Sequence, residues 1–303
     1  MMIGTEEIEK DKVILQSSND SAEDLVLDIS LKDVDFSYGK GSNSVHVLKD
    51  ISMQIHGPQL VSIVGPNGVG KSTLIHLINK ILVPSEGTVF IGDKEVSEYS
   101  IKDLAKIIGY VPCTSSDSFP LTVADTVLMG RFPHSSWGSN ERDLEIVEKT
   151  LQLLDIEDLA LRPFNELSAG QHQKVMLARG LAQEPKILLL DEPTSNLDIK
   201  YQMEITRILR DLAHQNKIIV VMISHDINIA SRYSDNIIML KNGGIYAVGR
   251  PIDVITSDNV RNVYDIGCNV IVDNGHPHVI LIDDKDTEES YSEEHYVLGP
   301  ERS

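Results

Sequence analysis

The chain has only two cysteines, Cys113 and Cys268, and one tryptophan; aromatics make up 5% of its 303 residues, and 27 lysines and arginines stand against 46 acids. Two thiols so far apart match neither a metal-ligand spacing nor a disulfide framework, which fits a reducing compartment. No apolar run approaches the roughly 20 residues a membrane-crossing helix needs; the stretch Ile218 to Ile223 has the length of a buried strand. Met1 to Glu7 offers neither a basic nor an apolar leader segment, so the expectation is a cytosolic chain without a secretory signal. A formal charge of −19 argues against nucleic acid as the main partner. Residues 1–27 hold seven acids and two lysines, and residues 283–303 hold eight acids and two bases, so eleven of the nineteen excess negative charges lie at the ends. An acidic leader (1–26) and an acidic tail (284–303) are therefore expected to be disordered, flanking a globular unit over 27–283.

What is present is a glycine-rich loop in a telling context. The apolar run Leu60 to Val64 precedes Gly65, Pro66, Asn67, Gly68, Val69, Gly70, Lys71, Ser72 and Thr73, and the helical pattern Leu74, Ile75, Leu77, Ile78 follows. Strand, loop and helix in that order make a phosphate-binding loop. Gly65 and Gly70 let successive N–H groups turn inward, and the positive end of the helix faces the same concavity. Lys71 would reach the outer phosphates as a point charge, and Ser72 would offer its hydroxyl to a magnesium ion.

Along the chain, Leu27 to Phe36 alternates as a half-buried strand, and Val45, Val47 and Ile51 to Ile55 form a second. Gly87 to Gly92 and Glu95-Val96 read as a hairpin turning at Asp93-Lys94, followed by a strand at Ile107 to Val111. From Cys113 to Asn165 the apolar spacing becomes helical, which predicts a helical insertion; its break at Gly130 to Trp137 carries aromatic and basic residues that suit either a docking surface or a plain interhelical loop. Ser168, Ala169, Gly170 and Gln171 open the next helix with the pattern of a capping box, and the same helix start can bind an anion. The buried strand Ile187 to Leu190 then ends on Asp191 and Glu192, two acids that are costly to desolvate without a task. In an open α/β sheet they would meet the phosphate loop beyond the carboxyl ends of the strands. There Asp191 could hold magnesium, and Glu192 could orient or deprotonate a water. A helix over Ile199 to His214 and a strand from Lys217 to Ile223 deliver His225 to the same edge. A hairpin over Ile237 to Val248, a helix near Asp258 to Tyr264 and a last strand pair complete the chain, with no internal repeat.

These motifs, from Leu27 to Asp283, resemble those of an ABC-transporter ATP-binding subunit. The family's Walker A matches Gly65 to Thr73, its signature Leu167 to Gln171, and its Walker B with catalytic glutamate Leu188 to Glu192. Its D-loop matches Ser195 to Asp198, its switch histidine His225, and its adenine-stacking aromatic Tyr38. The resemblance implies an α/β fold: a P-loop NTPase (RecA-like) core with an antiparallel β subdomain and an inserted α-helical subdomain at about 113–165. It implies ATP and Mg2+ as ligands, with Ser72 and Asp191 on the metal and Glu192 and His225 as catalytic residues. It also implies a head-to-tail homodimer in which Ser168, Ala169, Gly170 and Gln171 of one copy meet the ATP held by Lys71 of the other. Transmembrane permease subunits would be driven from the inner membrane face, with an extracytoplasmic substrate-binding protein acting indirectly. Arg131 to His134 and the segment from Tyr264 to Asp283 resemble the subgroup importing iron(III)-chelates, haem or cobalamin. Two positions depart from the pattern: Ala169 where the family has glycine, and Cys113 where it has the Q-loop glutamine. An ATPase acting on a soluble partner, or an ATP sensor with little turnover, are the alternative readings.

Overall fold

The computed structural model describes residues 27–39, 41–113, 121–134, 141–195 and 197–282. The expected acidic leader and tail, Trp137 and Asn196 lie outside the described residues.

The alternating N-terminal sequence forms β1 (Asp28–Tyr38) and β2 (Val45–His56), which pair antiparallel. After β3 (Gln59–Val64) and α1 (Lys71–Ile78) the chain adds β4 (Glu86–Ile91) and β5 (Lys94–Glu95), completing a four-stranded sheet in the order β2-β1-β4-β5. Ile91 pairs with Lys94, so the turn falls at Gly92-Asp93 rather than at Asp93-Lys94, and Val96 leaves the strand for a 3-10 turn.

A short α2 (Ile101–Leu104) leads into β6 (Ile108–Val111), then α3 (Val123–Leu128), α4 (Glu141–Leu153) and α5 (Ala169–Leu181). The rest of the chain alternates: β7 (Ile187–Leu190), α6 (Ile199–Gln215), β8 (Ile219–Ile223), α7 (Ile227–Tyr233), β9 (Asn236–Lys241) and β10 (Gly244–Gly249). It ends with α8 (Pro251–Val254), α9 (Ser257–Tyr264) and the hairpin β11 (Gly267–Asp273) with β12 (His276–Ile282).

The central sheet runs β10-β9-β3-β8-β7-β6, with every neighbour parallel except β10 at its edge. Because β7 and β8 are buried on both faces, their sequences read as unbroken apolar runs. The two-residue period of a strand nevertheless divides them. Ile187, Leu189, Ile219, Val221 and Ile223 face one core with α1 and the antiparallel sheet, while Leu188, Leu190, Val220 and Met222 face another with α3 to α6. Each such side chain contributes about 1.5–3 kcal/mol by leaving water. A third cluster joins Val64 and Met239 to α7, α8, α9 and the terminal hairpin. Hydrophobic burial on both faces thus fixes the carboxyl ends of β3, β6, β7 and β8 along one edge.

Candidate nucleotide site

The loop after β3 is shaped by its glycines. Gly65 has φ 147° and a Cβ there would lie 2.5 Å from the Leu240 carbonyl oxygen; Gly70 has φ 105° and its Cβ would meet Leu48 at 2.6 Å. Other residues would strain the turn and collide with the sheet. Gly70 caps α1 without any side-chain hydrogen bond, so the first amides of that helix are left to a ligand. Lys71 is 6% exposed and its ammonium donates to the carbonyls of Gly65 at 2.8 Å and Pro66 at 2.9 Å. Burial lowers its pKa, while Glu192 and Asp191 pull it back up.

From the ends of the neighbouring strands come the acids and the imidazole. The Asp191 N–H donates to Val111 at 2.9 Å, and its carboxylate accepts from the Ser72 hydroxyl at 3.0 Å. Burial raises the Asp191 pKa, the Ser72 bond lowers it, and Glu192 adds like charge. Two hard oxygen donors side by side, on a carboxylate whose negative charge is penalised by burial, fit a small divalent cation. Glu192 has φ 54°, the left-handed conformation that non-glycine residues rarely adopt. Its carbonyl accepts from the Ser195 N–H at 3.1 Å and from the Ser195 hydroxyl at 2.9 Å, which holds that turn. Its carboxylate meets His225 Nε2 at 2.5 Å.

Tyr38 closes the far side. Its hydroxyl lies 3.3 Å from Thr73 Oγ1 and its ring makes an edge contact with Phe36, leaving it 45% exposed at the rim. Tyr38, Asn67, Gly68, Gly70, Lys71, Ser72, Thr73, Glu192 and His225 line one cleft of about 470 Å³ with Val47, which its sequence marks as a strand residue and not as part of a site. This volume lies in the range of ordinary small-molecule pockets. Cys113 sits at the end of β6, exposed, with its sulfur 3.7 Å from Glu192 Oε2 and 3.6 Å from Ser195 Oγ. Desolvation raises the thiol's pKa and the Ser195 bond lowers it, with Glu192 raising it further.

The residues 168–171 stand apart from this cleft. Ser168 caps α5 through a reciprocal box with Gln171: the Gln171 N–H donates to Ser168 Oγ at 3.4 Å and the Ser168 N–H to Gln171 Oε1 at 3.1 Å. Ser168 and Ala169 are exposed; Gly170 is buried, because a Cβ there would lie 3.0 Å from the Tyr201 ring. Asp198 caps α6 by accepting from the Tyr201 N–H at 3.0 Å, so the 168–171 turn and the Asp198 turn pack together through Tyr201.

One expectation is corrected. Arg131 is not part of an exposed basic surface: it is 3% exposed and donates to Asp143 at 2.9 Å, Glu184 at 3.0 Å and the Ala182 carbonyl at 2.5 Å, pinning the insertion to the end of α5. His134 similarly bonds the Gln183 carbonyl at 2.8 Å, and among the described residues of this stretch Phe132, at 64%, is the exposed large hydrophobic side chain.

Comparison with known proteins agrees with this geometry. Residues 48–195 match the ABC transporter family. An uncharacterized ABC transporter ATP-binding protein of Methanocaldococcus jannaschii is 45% identical over 84% of this chain and 98% of that protein. The hemin import ATP-binding protein of Escherichia coli is 36% identical over 77% and 92%. The cobalamin import ATP-binding protein of Halobacterium salinarum is 35% identical over 80% of this chain, which spans 59% of that protein's length. Among solved structures, a metal-chelate-type ABC transporter in an inward-facing conformation aligns with TM-score 0.74 and 27% identity over 86% of this chain and 99% of that one. A dimeric ATP-binding cassette with ADP and phosphate bound aligns with TM-score 0.65 and 33% identity over 73% and 98%. The chain belongs to the ABC transporter ATP-binding family, and its fold is the α/β cassette of P-loop ATPases.

Proposed function

We propose that this cassette hydrolyses ATP to drive an importer of an iron(III)-chelate, haem or cobalamin. The observation that carries the reading is the cleft at one sheet edge lined by Lys71, Ser72 and the Glu192–His225 pair, with Asp191 bonded to Ser72 behind it. On ATP binding, Lys71 exchanges its bonds to the Gly65 and Pro66 carbonyls for the outer phosphate oxygens, and the uncapped amides of α1 add their dipoles. Tyr38 supplies a face for the base. Ser72 and Asp191 would hold Mg2+, whose charge screens the phosphates and polarises the bond that breaks. Glu192 orients the attacking water and accepts its proton, and His225 keeps that carboxylate in place.

Ser168 and Ala169 are exposed, and they and the adjoining Gly170 and Gln171 lie outside the Lys71 cleft of their own chain, which supports a head-to-tail pair in which this turn completes the partner's site beside Asp198. Permease subunits at the inner membrane face would convert closing and opening into transport, with a binding protein outside delivering the cargo. The names of the hemin and cobalamin import relatives and of the metal-chelate-type neighbour support the cargo class. The test is phosphate release by the full chain with ATP and Mg2+, alone and joined to its permease in liposomes. Release that is lost in Lys71→Ala and stimulated by the permease is expected; no release under either condition refutes the reading.

A further inference from the structure

Between the end of β7 and the start of α6 the chain carries Glu192 on one side and Asp198 on the other. The carbonyls of Thr194 and Leu197 lie in this stretch, outside any strand or helix. One side chain reaches both: Gln202 Nε2 donates to the Leu197 carbonyl at 3.0 Å and to the Thr194 carbonyl at 3.3 Å. Gln202 is the fourth residue of α6, and helical side chains lean toward the helix N-terminus, so its amide lies back over the residues that precede the helix. With two N–H bonds on one nitrogen, a glutamine can serve two carbonyls at once.

Each held carbonyl adjoins a residue with a task. Next to Thr194, Ser195 donates its N–H and its hydroxyl to the Glu192 carbonyl and keeps that residue at φ 54°. Next to Leu197, Asp198 caps α6. The helix is a firm support for both. Its Ile205 and Leu209 are fully buried in the core that holds Leu188 and Leu190 of β7, and its Glu204 pairs with the buried Lys174 of α5 at 2.7 Å. The Gln202 amide links this support to the stretch that carries Glu192.

We propose that Gln202 is a positioning residue for hydrolysis: by holding the Thr194 and Leu197 carbonyls against α6 it keeps the Glu192 carboxylate aimed at the attacking water and Asp198 beside the Ser168 turn. The proposal rests on the ATPase reading above and adds a residue outside the Lys71 cleft. Gln202 lines a separate opening of about 400 Å³ with Ile199, Met203 and Ile229. Water entering there can take over the two carbonyls when the amide is lost, so folding should suffer little. Water does not fix the turn, however, and a small displacement of a catalytic group costs rate steeply.

The test is Gln202→Met in the full chain, which removes both donors and keeps the length of the side chain. The kcat for phosphate release should fall about three- to thirtyfold. KM and the Kd for ATP should stay within about twofold, because Lys71, Ser72 and the loop amides are untouched, and Tm within about 4 °C. Gln202→Lys, whose ammonium can donate to two carbonyls as that of Lys71 does, should recover much of the rate. Leu209→Ala, buried farther along α6, is the control for stability alone and should lower Tm with kcat retained. A wild-type kcat in Gln202→Met overturns the proposal, as does a Gln202→Lys chain no faster than Gln202→Met, or a Leu209→Ala chain that loses as much rate. Should Gln202→Met not fold, the side-chain amide protons of the wild type decide: those of Gln202 should exchange with water more slowly than those of Gln152, exposed on α4, and equal exchange overturns the proposal. A wild type that releases no phosphate overturns the ATPase reading together with this one, whereas an active wild type and an equally active variant overturn only the role of Gln202.

Discussion

Replacing Glu192 by glutamine keeps the shape of the side chain and removes its charge and basicity. The structure separates the consequences. The Glu192–His225 contact is short, 2.5 Å, but its side chains are 24% and 43% exposed, so the pair contributes at most about 1 kcal/mol to stability. Glutamine can still bond the imidazole. Tm should therefore move by no more than a few degrees. ATP binding should also survive, because Lys71, Ser72 and the loop amides are untouched. The rate should not: loss of a positioned general base typically costs about 10²- to 10⁴-fold, or roughly 3–5 kcal/mol of barrier. Single-turnover phosphate release on the purified chain, with nucleotide titration and thermal unfolding on the same sample, reads all three quantities. Glu192→Gln with more than about a tenth of wild-type turnover would refute the assignment of the base. So would a variant that fails to bind ATP, since the carboxylate would then be a binding group.

Gly70→Ala should cost about 1–3 kcal/mol in denaturant unfolding and weaken ATP binding, because the residue needs φ 105° and its new methyl would press on Leu48; wild-type stability and affinity would contradict the loop geometry. Arg131→Ala should destabilise by about 3–5 kcal/mol, since it takes the guanidinium away from the buried Asp143, from Glu184 and from the Ala182 carbonyl. Urea unfolding checks it. Cys113→Gln should raise ATPase activity and tighten its coupling to the permease, because an amide is a stronger hydrogen-bond partner than a thiol 3.7 Å from Glu192 and suits a hard cation better. Identical rates and coupling in the assembled transporter would contradict this.

The fold was legible where a single period dominated. The runs at 187–190 and 219–223 read as buried strands, and the capping pattern from Ser168 to Gln171 predicted the helix that forms. The four-residue α2 and α8 and the seven-residue α7 are too short to show a period, although Asp226 caps α7 and Pro251 opens α8 in the usual way. Site residues that announce themselves through local motifs were readable as candidates, and strand order alone sends Lys71, Asp191 and His225 to one edge. Pairings across long sequence distance were not. Arg131 looked like a surface base in a loop because its partners, Asp143 and Glu184, stand 12 and 53 residues away. Nothing near Cys113 indicates that Glu192, 79 residues on, would lie beside its sulfur.

The central claim, that a complete site is built from the Lys71 face of one copy and the Ser168 face of another, is tested most directly by mixing two inactive chains. Lys71→Ala and Ser168→Arg should each be nearly inert alone. In a head-to-tail pair of the two, one site has both defects and the other has neither. A one-to-one mixture should therefore regain roughly a quarter of the wild-type rate if the chains assort at random. A mixture no more active than the two variants measured separately, or a Ser168→Arg chain that hydrolyses ATP normally by itself, would contradict the account.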